Sequence, residues 1–402
     1  MTSANRQLEG PSRIEPSLLE PVPGGIADLA AELSAAGAVL GASLPPMTAT
    51  NLASLVRIMN SYYSNLIEGH DTRPRDIERA ISGHLDEDEG RRNLQLEAVA
   101  HARVQSEIDA MAEAGTLPDP ASGDFIRWIH REFYRDAPDE MLRARGVTGD
   151  FQMTPGQWRK EPEHDVAVGR HVPPSSDKVD EVMGYFEDRY RFAEMGKATR
   201  IVSMAAAHHR LNYIHPFPDG NGRVSRLMSH AMAHKAGIGA HGLWSISRGL
   251  ARGLESRTEY KQMMDYADGP RKGDLDGRGN LSQSALVDFT EWFLKVCLDQ
   301  ITFMSDLFDF DRLAQRLRKH VEQSDTLKPE AARLLEEALI RGEFERGEAS
   351  RVTGLPERTA RRMLSDLVAE GLLLSASPKG PVSLRFPVGS LETLFPKLYP
   401  QT

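Results

Sequence analysis

The feature that most limits what this chain can fold into is a short segment, HPFPDGNGRVSR, at residues 215–226. An apolar helical pattern that starts near Ile201 cannot continue through it, because Pro216 and Pro218 fix φ and lack a backbone N–H. A helical period of apolar residues resumes at Val224. The segment is therefore predicted to be a loop between two helices.

The residue types in this loop suit the binding of a nucleotide triphosphate. Backbone N–H groups at residues 220–222 can approach an anion closely where glycine has no Cβ, and the next helix points its positive end at the same place. Arg223 and Arg226 add positive charge, and Asp219 offers one hard oxygen for Mg²⁺. His215 could accept a proton from an attacking hydroxyl. The structural alternative is a plain helix corner with solubilising arginines.

At every specified position the segment is similar to the signature of the Fic family, HPFx(D/E)GNGRxxR. This resemblance implies a protein adenylyltransferase, which transfers AMP from ATP, with Mg²⁺, to a hydroxyl side chain of a target protein. It implies that His215 deprotonates the acceptor, that Phe217 anchors the loop and that Asp219 holds Mg²⁺. The implied phosphate-binding residues are Gly220, Asn221, Gly222, Arg223 and Arg226. Among them, Asn221 and the neighbouring glycine amides would form an anion hole, and Arg226 would contact the γ-phosphate.

A second motif lies upstream, in the segment SNLIEG at residues 64–69. A helical pattern over about 48–68, with Thr48 as N-cap, puts Ser64 and Glu68 near its end. The segment resembles the inhibitory motif (S/T)xxxE(G/N) of Fic proteins. The resemblance implies that Glu68 pairs with Arg226 and so occupies the ligand of the γ-phosphate. The alternative is a solvated glutamate at a helix end.

A third feature is the alternation of Val166, Val168 and Val172 with small or polar residues, which predicts a short β-hairpin over about 158–174. It resembles the family's flap, which holds the target segment over the site. An exposed strand edge can recruit an extended peptide by backbone pairing. The alternative is a purely structural hairpin.

The C-terminal residues 329–390 are predicted to form a separate unit of three helices and two short strands. This order resembles a winged helix-turn-helix domain, whose third helix usually enters the major groove of DNA. In this chain Arg358, Arg361 and Arg362 follow one face of that helix. Winged helices also serve as protein docking modules, so contact with DNA and contact with protein both stay open.

The fold class expected for the whole chain is therefore mainly α, with a Fic-type helical core over residues 25–325, a small β-hairpin flap and the winged-helix domain. Residues 1–24 carry four prolines and are predicted to be a flexible arm, either loose or packed against the core. A single cysteine excludes an internal disulfide, and a net charge of −9 argues against a general nucleic-acid coating protein. Without a leader pattern or about 18 uninterrupted apolar residues, we expect a cytoplasmic protein without a membrane partner.

Three functions remain open at this stage. The first is an adenylyltransferase that Glu68 inhibits within its own chain, the second is removal of AMP from a modified protein, and the third is a DNA-binding transcriptional regulator whose Fic domain senses nucleotides. The presence of His215 favours an enzyme, because a sensor needs no base. The acceptor type (Tyr, Thr or Ser), modification of the chain itself and homodimer formation also stay open.

His230 and His234 are interpreted as a packed or solvated pair and not as zinc ligands, since no third ligand is evident.

Overall fold

The structure is a computed structural model that describes residues 10–169 and 171–399. It is mainly helical, as predicted. The helices in chain order are α1 Gly24–Ala42, α2 Pro46–Ile67, α3 Pro74–Ile81, α4 Glu89–Glu113, α5 Gly123–Phe133, α6 Val179–Arg189, α7 Lys197–Ile214, α8 Asn221–Lys235, α9 Ile246–Arg252, α10 Glu259–Ala267, α11 Gln283–Leu307, α12 Phe310–Glu322, α13 Ala331–Arg341, α14 Ala349–Thr353, α15 Glu357–Ala369 and α16 Leu391–Leu394. The strands are β1 Arg143–Arg145, β2 Asp150–Gln152, β3 Glu343–Phe344, β4 Leu373–Leu374 and β5 Val382–Leu384.

The core is a bundle in which α7 and α8 lie at the centre. Helix α8 packs against α7, α4 and α5, while α2 packs against α4 and α9, and α1 packs against α11 and α7. Most residues of α7 and α8 are buried, including polar ones. The loop between them is therefore anchored at both ends in the core, which fixes its position.

Two helix boundaries differ from the sequence-based expectation. Helix α2 begins at Pro46, not after Thr48, because proline is well suited to the first helical position. Thr48 is instead buried and donates from Oγ1 to the Leu339 carbonyl at 3.3 Å. The apolar period over about 283–322 predicts one long helix, but the structure has two, α11 and α12. The Asp309 side chain accepts from the Arg312 N–H at 2.9 Å and starts a new helix there.

The predicted hairpin over residues 158–174 is wrong as a pair of strands. Among its described residues the only pairing is one antiparallel bridge between Val168 and His171, and residues 162–164 form a 3₁₀ turn. The regular two-stranded pair, β1 with β2, comes earlier in the chain. Pro162 lies at the first position of that turn, where its fixed φ and missing N–H disfavour a strand.

The predicted arm over residues 1–24 is described only from residue 10 onward, because residues 1–9 lie outside the described residues. The described part is packed. Ile14 and Leu19 are buried, and the Arg13 guanidinium donates to the carbonyl of Val172. The Glu15 carbonyl accepts from the Leu281 N–H at 2.9 Å. The arm thus ties the 158–174 segment to the core.

The C-terminal residues contain α13, α14 and α15 and a three-stranded antiparallel sheet in the order β3-β5-β4. That the unit is a winged helix remains a prediction. The chain then continues past this sheet and packs on α2. There the Tyr63 hydroxyl donates to the Leu398 carbonyl at 3.0 Å, and the rings of Tyr63 and Tyr399 stack at 6.4 Å. Helix α2 therefore lies between the core and the C-terminal residues.

By length and composition alone, α1 is apolar enough to cross a membrane. Its apolar face is covered, however, because Leu33 and Leu40 are fully buried and the helix packs against α11 and α7. A core helix of this kind passes the same test of length and composition.

Candidate functional site

The loop between α7 and α8 is shaped by two residues in the left-handed conformation. His215 ends α7 with φ 50°, and Gly220 precedes α8 with φ 78°. A Cβ at position 220 would lie 2.8 Å from the Tyr134 hydroxyl, so only glycine fits there without a shift. These two turns bring the start of α8 back beside the end of α7.

Asn221 has a different role from the one expected. Its Oδ1 accepts from the Phe217 N–H at 2.9 Å and its Nδ2 donates to the Phe217 carbonyl at 2.8 Å. Both polar atoms of the side chain are used to close the loop on itself. The side chain of Asn221 therefore supports the shape of the loop, while its backbone N–H and the second hydrogen on Nδ2 remain as donors for an anion.

Phe217 is fully buried, as an anchor should be. Its ring lies between those of His130, at 3.9 Å, and Trp158, at 4.5 Å. His130 Nδ1 accepts from the Gly156 N–H at 2.8 Å, which leaves Nε2 as the donor to the Asp219 carbonyl at 3.3 Å. Burial lowers the pKa of His130 to about 3, so the ring is neutral and keeps this arrangement of donor and acceptor.

Arg159 holds the base of the loop, a role that sequence reasoning missed. Its guanidinium is almost fully buried and donates from Nε to the His215 carbonyl at 2.7 Å and from Nη2 to the Ile214 carbonyl at 3.3 Å. Its backbone N–H donates to the Pro216 carbonyl at 2.9 Å. Nothing in the sequence separates this arginine from the many exposed ones, because its burial depends on partners far along the chain.

His215 itself is only partly exposed. Burial and the nearby positive charge of Arg159 lower the pKa of His215 to about 4. The imidazole is therefore neutral at pH 7 and has a lone pair that can accept a proton.

The start of α8 forms the anion-binding side of the loop. The first N–H groups of a helix have no intrahelical partners, and among the described residues no side chain caps those of α8. Arg223 lies beside them and is held by Glu97 at 3.0 Å and by the Tyr134 hydroxyl at 3.2 Å. Asp219 is more than half exposed, and one of its oxygens accepts from Tyr134 at 3.3 Å.

The donor set at Asp219 fits Mg²⁺ bound mainly through phosphate and water. The carboxylate is exposed, and Oδ1 has no hydrogen bond within the described part of the chain. Mg²⁺ keeps several waters and takes one or two carboxylates together with substrate phosphates. One exposed carboxylate beside an uncapped helix start provides such a position.

Glu68 is the first residue beyond α2, and its carboxylate enters this site. Its Oε1 accepts from Arg226 Nη2 at 2.6 Å, while Arg226 also donates to the Ser64 hydroxyl at 2.9 Å and to the Ser64 carbonyl at 3.2 Å. Although burial opposes ionisation, the guanidinium groups of Arg226 and Arg223 lower the pKa of Glu68 below its ordinary value. Glu68 is therefore ionised and forms an ion pair with the guanidinium of Arg226.

Glycine at 222 is needed for this contact. A Cβ there would lie 2.6 Å from Glu68 Oε1 and 3.0 Å from Arg226 Nη1. The end of α2 is fixed by Gly69, with φ 90°, and by the bond from the His70 N–H to the Asn65 carbonyl at 2.9 Å. The helix end thus directs Glu68 at Arg226.

Other predicted site residues lie apart from the loop. Val168 and Val172 are exposed on the irregular 158–174 segment, and Val166 is half-buried there. Arg358, Arg361 and Arg362 are exposed on α15, and Arg361 pairs with Glu357. The structure therefore brings together the residues of 215–226 with Ser64 and Glu68, and adds Tyr134, His130, Glu97 and Arg159.

A match with a known family covers the segment that contains the α7–α8 loop. Residues 120–233 match the family model of the Fic/DOC family. A protein adenylyltransferase Fic from Drosophila willistoni is 41% identical over 83 residues, which are 20% of this chain and 16% of that protein. One from Nematostella vectensis is 30% identical over 182 residues, which are 44% of this chain and 37% of that protein. The chain thus matches well under half the length of these relatives.

A solved structure of a Fic family protein from Desulfovibrio desulfuricans G20 has a TM-score of 0.52 at 17% identity, and the match covers 90% of this chain and 96% of that one. At this identity the likeness shows the fold alone.

Proposed function

We propose, from the premise that residues 120–233 form a Fic domain, that the protein transfers AMP from ATP to a hydroxyl side chain of a target protein. The observation that carries the proposal is the juxtaposition of a neutral His215 with the uncapped start of α8 and the two arginines that follow it. The curated relatives are named protein adenylyltransferases, which agrees with this chemistry.

In the proposed reaction the acceptor hydroxyl gives its proton to the imidazole of His215. The hydroxyl oxygen bonds to the α-phosphorus as the bond from that phosphorus to the bridging oxygen breaks, and pyrophosphate leaves. Backbone N–H groups at the start of α8 stabilise the negative charge that develops. Arg223 and Arg226 bind the leaving phosphates. Asp219 would hold Mg²⁺, which supplies charge neutralisation on those phosphates when bound.

Arg159 is proposed as a positioning residue for His215. Its bonds to the carbonyls of residues 214, 215 and 216 hold the backbone on both sides of the imidazole. Because the base must lie within hydrogen-bond reach of the acceptor, a small rotation of this turn would misplace it. Arg159 therefore acts through His215 and does not touch the substrate.

We also propose that Glu68 restrains this activity. With Glu68 at 2.6 Å from Arg226, the guanidinium that would bind the γ-phosphate is already paired. ATP in the productive pose must break that contact. The alternative is that the same carboxylate positions water for removal of AMP from a modified protein, and its ionised state is compatible with either role.

The test is incubation of the full chain with α-labelled ATP and a cell lysate, followed by detection of labelled protein. Wild type, Glu68→Gly and His215→Ala are compared. Label that depends on His215 supports AMP transfer, whereas label that persists in His215→Ala rejects it. Hydrolysis of the labelled protein to amino acids shows whether the label is on Tyr, Thr or Ser. Label on the chain itself shows that it modifies itself.

For the C-terminal residues we propose a binding function for the exposed basic face of α15. Arg358, Arg361 and Arg362 lie on it within a protein of net charge −9. A compact cationic face on an acidic protein suits a negatively charged partner, either a DNA duplex or an acidic protein surface.

A further inference from the structure

His230 and His234, which the sequence left without a third ligand, converge on Asp109 of α4. Asp109 Oδ1 lies 2.6 Å from His230 Nε2 and 3.0 Å from His234 Nε2, and the two Nε2 atoms lie 3.2 Å apart. The side chains of His230, His234 and Asp109 are 5%, 9% and 12% exposed. The pair is packed, and a carboxylate supplies the third possible ligand that was not evident from the sequence.

The three atoms are spaced as metal ligands are. Two imidazoles at i and i+4 share one face of α8, a spacing that binds zinc on helices. Bonds of 2.0–2.2 Å to a tetrahedral Zn²⁺ give ligand–ligand distances of about 3.3 Å. The distances of 3.0 and 3.2 Å are close to that value, and the third, 2.6 Å, requires Asp109 Oδ1 to move by about 0.7 Å.

The arrangement also brings three possible ligand atoms, Asp109 Oδ1 and the two Nε2 atoms, within 3.2 Å of one another. If both imidazoles carried a proton on Nε2, two N–H groups would point at one oxygen from positions 3.2 Å apart. A cation at that point replaces both protons. The other oxygen of Asp109 accepts from Arg57 Nη1 at 2.9 Å, which fixes the carboxylate with Oδ1 turned to the histidines.

The backbone covers this cluster closely. A Cβ at position 239 would lie 2.5 Å from His234 Nδ1, and one at position 242, where φ is 76°, would lie 3.1 Å from Asp109 Oδ2. Two glycines therefore let the 239–242 turn lie against the cluster, and this limits the access of solvent.

We propose that Asp109, His230 and His234 form a site for a divalent transition metal of the zinc type, separate from the position at Asp219. The protein supplies three ligands, and water takes the fourth place. The site joins α4 to α8, and through Arg57 it also contacts α2. It would thus brace the helix that begins at Asn221 from a point roughly two and a half to three and a half turns along it.

The test uses the full chain without a histidine tag, titrated with Co²⁺ as a spectroscopic substitute for Zn²⁺. We expect one Co²⁺ per chain with the visible absorption of tetrahedral cobalt, displaced by Zn²⁺. His234→Gln and Asp109→Asn should each weaken binding by at least about 100-fold, since loss of a ligand should exceed the 10- to 100-fold cost of losing its supporting partner. His84→Gln, at an exposed histidine, is the matched control and should bind as wild type does.

Circular dichroism without metal shows whether each variant is folded, and His230→Gln replaces any variant that is not. Absence of the cobalt spectrum in wild type would overturn the proposal, as would binding that survives loss of His234 or Asp109. Asp219→Asn should keep the cobalt spectrum, and its loss in that variant would place the metal at the loop and reject this site. The readouts do not involve ATP, so they are independent of the proposed transfer activity.

Discussion

Replacement of Glu68 by glycine is expected to raise AMP transfer by roughly 10- to 70-fold. The bond from Arg226 Nη2 to Glu68 Oε1, at 2.6 Å, is charge-assisted, and such bonds contribute about 1.5–3 kcal/mol. The Glu68 side chain is 32% exposed, and Arg226 keeps its two bonds to Ser64, so the lower part of that range applies. About 1.5–2.5 kcal/mol then separates the restrained state from the productive one, which corresponds to the stated change in rate.

The assay is the initial rate of transfer from α-labelled ATP, with self-modification as the readout until a target is known. Glu68→Gln keeps the size of the side chain and removes its charge, so it separates electrostatic blocking from steric blocking. Glu32→Gln, at an exposed glutamate on α1, is the matched control. Arg226→Ala should be inactive with or without Glu68, because the productive pose of the γ-phosphate is lost.

An unchanged rate in Glu68→Gly would refute the reasoning, since the contact would then impose no cost on ATP binding. A drop in the removal of AMP from a pre-modified target would instead show that Glu68 takes part in that reaction.

The remaining predictions concern the base, acid stability and the basic face. His215→Ala should abolish transfer while ATP affinity, measured by calorimetry, stays within a few-fold, and transfer by this variant would reject His215 as the base. Burial and the charge of Arg226 lower the pKa of His208 to about 3, below the value near 6.5 in the unfolded chain. Its contribution to stability is therefore present above pH 6.5 and is lost as pH falls toward 3. Denaturant unfolding should show that His208→Gln loses roughly 1–2 kcal/mol less than wild type between pH 6.5 and 5. Joint replacement of Arg358, Arg361 and Arg362 by alanine should weaken DNA retention and flatten its salt dependence in mobility-shift titrations, and no binding by wild type would favour a protein partner.

The local pattern of apolar residues and prolines was sufficient to predict most helices and the loop between α7 and α8. Prolines at 216 and 218 and the apolar period on both sides are features of adjacent residues, and the structure has the loop where they put it. The α11–α12 break was missed because the apolar period continues across it, while the Asp309 cap that interrupts it is a single residue.

The partners of the site could not be read from the sequence, because they depend on contacts between distant segments. Asp109 lies 121 residues before His230, and Arg159 lies 56 residues before the His215 carbonyl that it holds. The direct role of Asn221 toward the anion was implied by the family resemblance. Only the structure shows that its amide is used by the Phe217 backbone.

The packing of the C-terminal residues on α2 bears on how this molecule unfolds. Thr48 and Tyr63 of that helix bond to the carbonyls of Leu339 and Leu398, and the rings of Tyr62 and Tyr399 meet at 5.4 Å. A cut near residue 329 would leave two aromatic rings and two hydroxyls of α2 without these partners. We therefore expect the C-terminal residues to unfold together with the core, and α2, which ends beside Glu68, to be the element that couples them.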